Sequence, residues 1–263
     1  MPHLAFLLGA TLLSILSLAA GPWVRRHPVA TGRFLALVSL AGVAGALTLT
    51  ASGTTVTFTR EWVPTLDISF SLVLDPFRAL FLAIICGTAA AILHYGALHY
   101  RNDPRLPTLL SCLLAFGASM IGIVLSDDLF LFFVFWEATA VFSFLLIGWY
   151  DRKESARWKA TQAFLVTALG GLALLAGFIL LRLAAGSGSL TTIVGMDLSA
   201  HSYAPAIIVL VALGAMTKSA QFPFHFWLPN AMAGPTPVSA FLHSATLVKA
   251  GVFLLALLAP VLS

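Results

Sequence analysis

Leu129–Trp149 reads LFLFFVFWEATAVFSFLLIGW, twenty-one residues with a single ionisable side chain, Glu137. Wound as a helix, that run reaches ~31 Å, the thickness of a bilayer's hydrocarbon core. Seven further apolar runs flank it: Leu4–Val24, Arg33–Ala51, Phe77–His99, Leu106–Ser126, Ala160–Leu183, Tyr203–Ala220 and Val238–Ala259. The composition agrees, with 60% hydrophobic and 9% charged residues among 263 and a mean hydropathy of +0.99. A soluble domain carries about 25% charged residues. The chain reads as an all-α polytopic membrane protein of about eight transmembrane helices. Leu4–Val24 lacks a basic leading segment and is followed by Arg25 and Arg26, so it reads as a retained helix rather than a cleaved signal.

The connections set the topology. Arg25, Arg26 and Arg33, then Arg101 and Arg105, then Arg152, Lys153, Arg157 and Lys159 fall in alternate loops on one side. Arg60, Arg78 and Arg182 fall on the other, accompanied by Glu61, Asp67, Asp75, Asp127, Asp128 and Asp197. The positive-inside rule puts the strongly basic side in the cytoplasm and the N-terminus outside. The net charge of +4 is therefore a topology signal, and nucleic acid is not an expected partner. Thr54–Thr59 and Asp67–Leu74 alternate and are rich in β-branched and aromatic residues, which predicts a small external β-hairpin within about 52–76. Residues 1–105 form an N-terminal three-helix part, and residues 106–263 a five-helix part.

Three charges lie where charge is expensive. Glu137 is ~14 Å into span five, Lys218 ~22 Å along span seven and Lys249 ~16 Å along span eight, all near mid-depth. An ionisable group at that depth costs about 2.5–3.5 kcal/mol by insertion scales. A Glu137–Lys218 ion pair that only holds helices together is the plainer reading. The functional reading is a proton or cation relay, in which a lysine holds the carboxylate ionised and its withdrawal lets burial favour protonation. Span seven is also interrupted. Pro223, Pro229, Pro235 and Pro237 follow Lys218 in QFPFHFWLPNAMAGPTP, and Pro223 disfavours helix at Phe222. Broken helices at membrane depth occur where they are buried in protein or line a cavity. Ser219, Pro223 and His225 are the residues placed to line this break, and the alternative is a helix that simply ends at Pro223. His243, six residues before Lys249, is a further relay candidate. His94 and His99 have no matching pair on a facing helix, which argues against haem. Cys86 and Cys112 stand alone in apolar runs, with no CxxC or Cys/His cluster, so no metal site, disulfide framework or cofactor is expected. The glycines of span six, Gly170 and Gly171 among them, read as close helix packing.

Those same residues carry a resemblance. TKSAQFPFHFWLPNAMAGPTPVSAFLHSATLVKAG (Thr217–Gly251), FVFWEATAVFSFLLIG (Phe133–Gly148) and LDPF (Leu74–Phe77) closely resemble the antiporter-like subunits shared by Mrp-type multisubunit Na⁺/H⁺ antiporters and respiratory complex I. VKAG at Val248–Gly251 and GGLALLAGF from Gly170 are similar to the A-type subunits of the Mrp branch. The resemblance implies a hydrated mid-membrane proton path through Glu137, Lys218, His243 and Lys249. It implies exchange of cytoplasmic Na⁺ for external H⁺, with other Mrp subunits and membrane lipids as partners in a bacterial cytoplasmic membrane. It also implies a transporter subunit rather than an enzyme. Asn230 stands where family members commonly carry Asp, and Gly234 also departs from the pattern. Both departures leave the cytoplasmic mouth less acidic. Such subunits carry two inverted repeats, and spans four to eight here resemble the first alone. The chain thus reads as the N-terminal portion of such a subunit, with a partner chain supplying the second repeat. A proton-pumping membrane subunit of a complex I-type NADH:quinone oxidoreductase and a transport-inactive scaffold are the alternatives.

Overall fold

The computed structural model describes residues 21–244 and 246–262. Helix α1 (Gly21–Arg26) leads into α2 (Pro28–Ser52), and a two-stranded antiparallel hairpin follows, β1 (Val56–Val63) with β2 (Ile68–Leu74). Next come α3 (Pro76–His99), α4 (Leu106–Leu125), α5 (Leu129–Ile147) and α6 (Glu154–Ala185). The short α7 (Leu190–Val194) precedes α8 (Ala204–Lys218), α9 (Trp227–Ala231), α10 (Thr236–Ser244) and α11 (Leu247–Leu262). Helices α2 to α6 and the stretch Thr236–Val261 are long and apolar enough to cross a membrane. The protein is a multi-pass membrane protein. Of the eight expected spans, the first lies outside the described residues apart from 21–24, which belong to α1.

Helix α4 is the centre of the bundle. Seventeen of its twenty residues are buried, so it meets neighbours on every side, as a helix that is apolar all round should. At one end of the bundle the hairpin runs from Val56↔Leu74 to Val63↔Ile68, with an irregularity between Glu61 and Val63. Its inner strand continues into the bundle. Asp127 N–H donates to the Ser71 carbonyl (2.9 Å) and Leu129 N–H to the Gly188 carbonyl (3.0 Å). The α4–α5 link is thereby bracketed between β2 and the segment before α7. Arg78, expected at a helix end, is instead 1% exposed. Its guanidinium donates to the Leu125 and Ser126 carbonyls (3.2 and 2.8 Å) and lies 3.5 Å from Asp127 and 3.3 Å from Asp75. Asp127 also accepts from Ser189 Oγ and Thr191 N–H. Asp75 and Asp128 cap α3 and α5, which satisfies helix-end N–H groups.

The breaks differ from the expectation in two details. Span seven, expected to end at Ala220, ends at Lys218 on a backbone cap rather than on its proline. Helix α8 ends at Lys218, and Ala220 takes a left-handed φ of 50°. Gln221 N–H reaches back to the Met216 carbonyl (2.9 Å) and Ala220 N–H to the Thr217 carbonyl (3.4 Å), the pattern of a Schellman cap. Pro223 lies beyond this cap and prevents resumption of the helix rather than ending it. Span eight, expected continuous, is divided into α10 and α11, and Thr246 Oγ1 donates to the Phe241 carbonyl between them. The interruption falls between His243 and Lys249.

Candidate functional site

Helix α8 is fifteen residues long, a rise of ~22 Å that is shorter than a bilayer's ~30 Å hydrocarbon core. Lys218 closes the C-terminal end of α8, and its side chain is fully buried. Its Nζ donates to the Trp136 carbonyl of α5 at 2.8 Å and lies 4.9 Å from the centroid of the Trp136 ring. The same carbonyl also accepts from Thr139 Oγ1 (2.7 Å). A carbonyl oxygen has two lone pairs, so this acceptor takes side-chain donors from two helices.

Glu137, the next residue on α5, interacts electrostatically with Lys218. The expected ion pair is not closed, however. Among the described residues, no carboxylate–ammonium contact within 4.0 Å joins the two. Buried Oε1 of Glu137 has no hydrogen-bond partner, and neither does the indole N–H of Trp136. The reason is geometric: the Trp136 carbonyl competes for the ammonium, and the carboxylate is turned toward α6. It rests against Gly171, where a β-carbon would collide with Oε1. The adjacent Gly170 faces α8, and a β-carbon there would strike Thr217. The glycine pair therefore does pack helices closely, and one of its members also makes room for the carboxylate.

The remaining predicted residues divide into two groups. Ser219 Oγ donates to the Val248 carbonyl (2.7 Å), and Gly251 packs against Ser219 Oγ and the Ala215 carbonyl. Ser219 thus stitches the end of α8 to α11. Buried Trp227 donates its indole N–H to the Thr217 carbonyl (2.9 Å), one residue before Lys218. His243 lies against the other side of Trp227, with ring centroids 6.2 Å apart, and its two ring nitrogens are buried with no hydrogen bond of normal geometry. Glu137, Lys218, Ser219 and His243 therefore belong to one connected assembly.

Lys249, Pro223 and His225 do not join it. All three are exposed on the bundle's surface; His225 stacks on Phe222 (5.9 Å), which is itself 79% exposed. Asn230 Nδ2 donates to Gln162 Oε1 of α6 (2.8 Å), a neutral pair where an acidic residue was the family expectation. Trp136, Thr217 and Trp227 escaped the sequence reading, although Trp136 adjoins Glu137 and Trp227 sits in the proline-rich stretch. Among the described residues, no group of three or more His, Cys, Asp or Glu side chains is placed to hold a metal ion.

Comparison with known proteins agrees with this architecture. Residues 126–263 match the family model described as "NADH:quinone oxidoreductase/Mrp antiporter, TM". A Rhizobium meliloti protein, named as the A/B component of a probable K(+)/H(+) antiporter, is 45% identical over 87% of this chain and 23% of its own length. A Staphylococcus aureus antiporter protein designated mnhA2 is 48% identical over 76% of this chain and 26% of its own. A chain of the Mrp complex from Dietzia sp. DQ12-45-1b superposes with a TM-score of 0.86 at 34% identity, covering 97% of this chain and 28% of that one. The chain spans about a quarter of the length of the curated relatives it matches. With a family match over just over half of its residues, this chain belongs to the NADH:quinone oxidoreductase/Mrp antiporter transmembrane family.

Proposed function

We propose that the chain is a proton-conducting half of a multisubunit monovalent cation/proton antiporter, exchanging cytoplasmic Na⁺ for external H⁺. The observation that carries this reading is the buried Lys218 ammonium on the Trp136 carbonyl, while the carboxylate of the next residue, Glu137, leaves a buried oxygen without a hydrogen bond. A carbonyl holds an ammonium but does not take its proton, whereas a carboxylate does. A lysine that swings from the carbonyl to Glu137 would stabilise the ionised carboxylate until its own proton passes to it, leaving a neutral amine and a carboxylic acid. Its return would leave a desolvated carboxylate that favours protonation. Glu137 and Lys218 thus form a two-position switch, and His243 behind Trp227 receives the proton next.

An ammonium at mid-depth on the outside of a bundle is costly against lipid. Exposed Lys249 therefore supports a partner that covers it. We infer that the partner carries a second, inverted repeat, and that α4 to α11 form the first. The basic loops face the cytoplasm, by the positive-inside rule, in a bacterial plasma membrane. The antiporter names of the relatives favour this branch over a quinone-linked one. The test is Glu137→Gln in the assembled complex, read as Na⁺- and K⁺-dependent ΔpH dissipation in everted vesicles. Coupled exchange should vanish with assembly intact, and near-normal exchange in the variant would remove Glu137 from the relay.

A further inference from the structure

On the face of the bundle opposite the hairpin, the α3–α4 link and the α5–α6 link meet. Arg105 Nη1 donates to the Trp149 carbonyl (3.1 Å), and the hydroxyls of Tyr100 and Tyr150 lie 3.4 Å apart. Between the links opens a cleft of about 840 Å³ lined by Arg105, Arg152 and Lys153, with Asp103 and Asp151. The three cations are only loosely engaged. Arg105 stands 3.7 Å from Asp103 and 3.6 Å from Asp151, long distances for ion pairs, and stacks at 4.6 Å over the Trp149 ring. Lys153 lies 5.6 Å over the Tyr150 ring. Arg152 and Lys153 make no ion pair among the described residues. Two helices also begin here, α4 behind Arg105 and α6 behind Lys153, and neither has a side-chain cap. Their dipoles add positive potential to the same space, partly offset at α6 by Glu154 in its first turn.

We propose that this cleft binds the phosphate headgroup of an anionic glycerophospholipid. The depth distinguishes a lipid from a soluble anion. Tyr150 lines the cleft, with Tyr100 against its hydroxyl and Trp149 under Arg105, and such aromatic side chains mark the headgroup level of a membrane protein. Trp158, one turn into α6, is 65% exposed. Beyond it, exposed Leu165, Leu169 and Leu172 share its helix face, an apolar track for an acyl chain descending from the headgroup. Basic pockets beside transmembrane helices suit acidic headgroups for these reasons. The occupied cleft would clamp the two links and fix the cytoplasmic ends of α3 to α6.

Native mass spectrometry of the delipidated full chain in neutral detergent tests this, with phosphatidylglycerol, phosphatidylcholine and inorganic phosphate as separate probes. Phosphatidylglycerol should be retained in preference to phosphatidylcholine, and millimolar phosphate should not displace it. Each surface cation contributes about fivefold to binding an acidic lipid, so Arg152→Gln/Lys153→Gln should weaken retention by roughly twentyfold. This pair makes no hydrogen bond that supports the fold, unlike Arg105, so folding should persist and is checked by circular dichroism. The matched loss of two charges in Arg25→Gln/Arg26→Gln should leave retention within about twofold. An equal loss in both variants would overturn the site in favour of general surface attraction. Displacement by phosphate would overturn the lipid in favour of a soluble anion.

Discussion

Two neighbouring glycines separate packing from chemistry. A β-carbon at Gly170 falls 2.6 Å from Thr217 Cβ and 2.9 Å from its Cγ2, atoms fixed to α8. The three atoms nearest a β-carbon at Gly171 all belong to the Glu137 carboxyl group, the far end of a flexible side chain. Either alanine gains about 0.5–1 kcal/mol of helix propensity. Overpacking a fitted interface costs typically about 1–3 kcal/mol. Gly170→Ala should therefore lose on balance, by up to about 2 kcal/mol, which lowers Tm by roughly 2–8 °C at this chain length. Gly171→Ala should melt within a few degrees of the parent chain, because the carboxylate can swing aside. That swing removes the carboxylate from its place against α6, so Gly171→Ala should lose most coupled exchange. Thermal melts of the purified chain and ΔpH dissipation in vesicles bearing the whole complex give the two readings. If Gly171→Ala transports normally at unchanged stability, the position of the Glu137 carboxylate does not matter and the switch is wrong.

Lys218→Ala should abolish exchange, and Lys218→Arg should retain little, because a guanidinium does not release its proton; full exchange in the arginine variant would mean that Lys218 supplies charge alone. At the hairpin end, Asp127→Asn leaves buried Arg78 without its second carboxylate. Removing one member of a buried pair costs about 3–5 kcal/mol. The Asp75 contact and two carbonyls remain, so a loss near about 3 kcal/mol is expected in a denaturation series, and an unchanged midpoint would show that the Arg78 cluster is not a tether.

Six of the eight expected spans were legible among the described residues because hydropathy over twenty residues is a local property. The hairpin was legible through its alternation, and the mid-depth charges through helix rise alone. What the sequence hid was tertiary competition. Nothing in the spacing of Glu137 and Lys218 reveals that a backbone carbonyl at Trp136 takes the ammonium, or that Gly171 turns the carboxylate away. Pro223 drew attention to a real break and misplaced its start, because Ala220 takes a left-handed conformation that alanine seldom adopts. The division of span eight gave no signal, since Thr246 is unremarkable in an apolar run until its hydroxyl bonds the Phe241 carbonyl. Arg78 looked like a loop charge for a similar reason. Its partners at Leu125, Ser126 and Asp127 are nearly fifty residues away.

The central claim is that Glu137 changes protonation state during exchange. Infrared difference spectroscopy of the assembled complex, recorded as a pH gradient is imposed and released with Na⁺ present, observes the C=O stretch of a protonated carboxylic acid directly. The account predicts a reversible band of this kind that is lost in Glu137→Gln and shifted in Lys218→Ala. A wild-type spectrum without the band, or one that persists unchanged in Glu137→Gln, would contradict it.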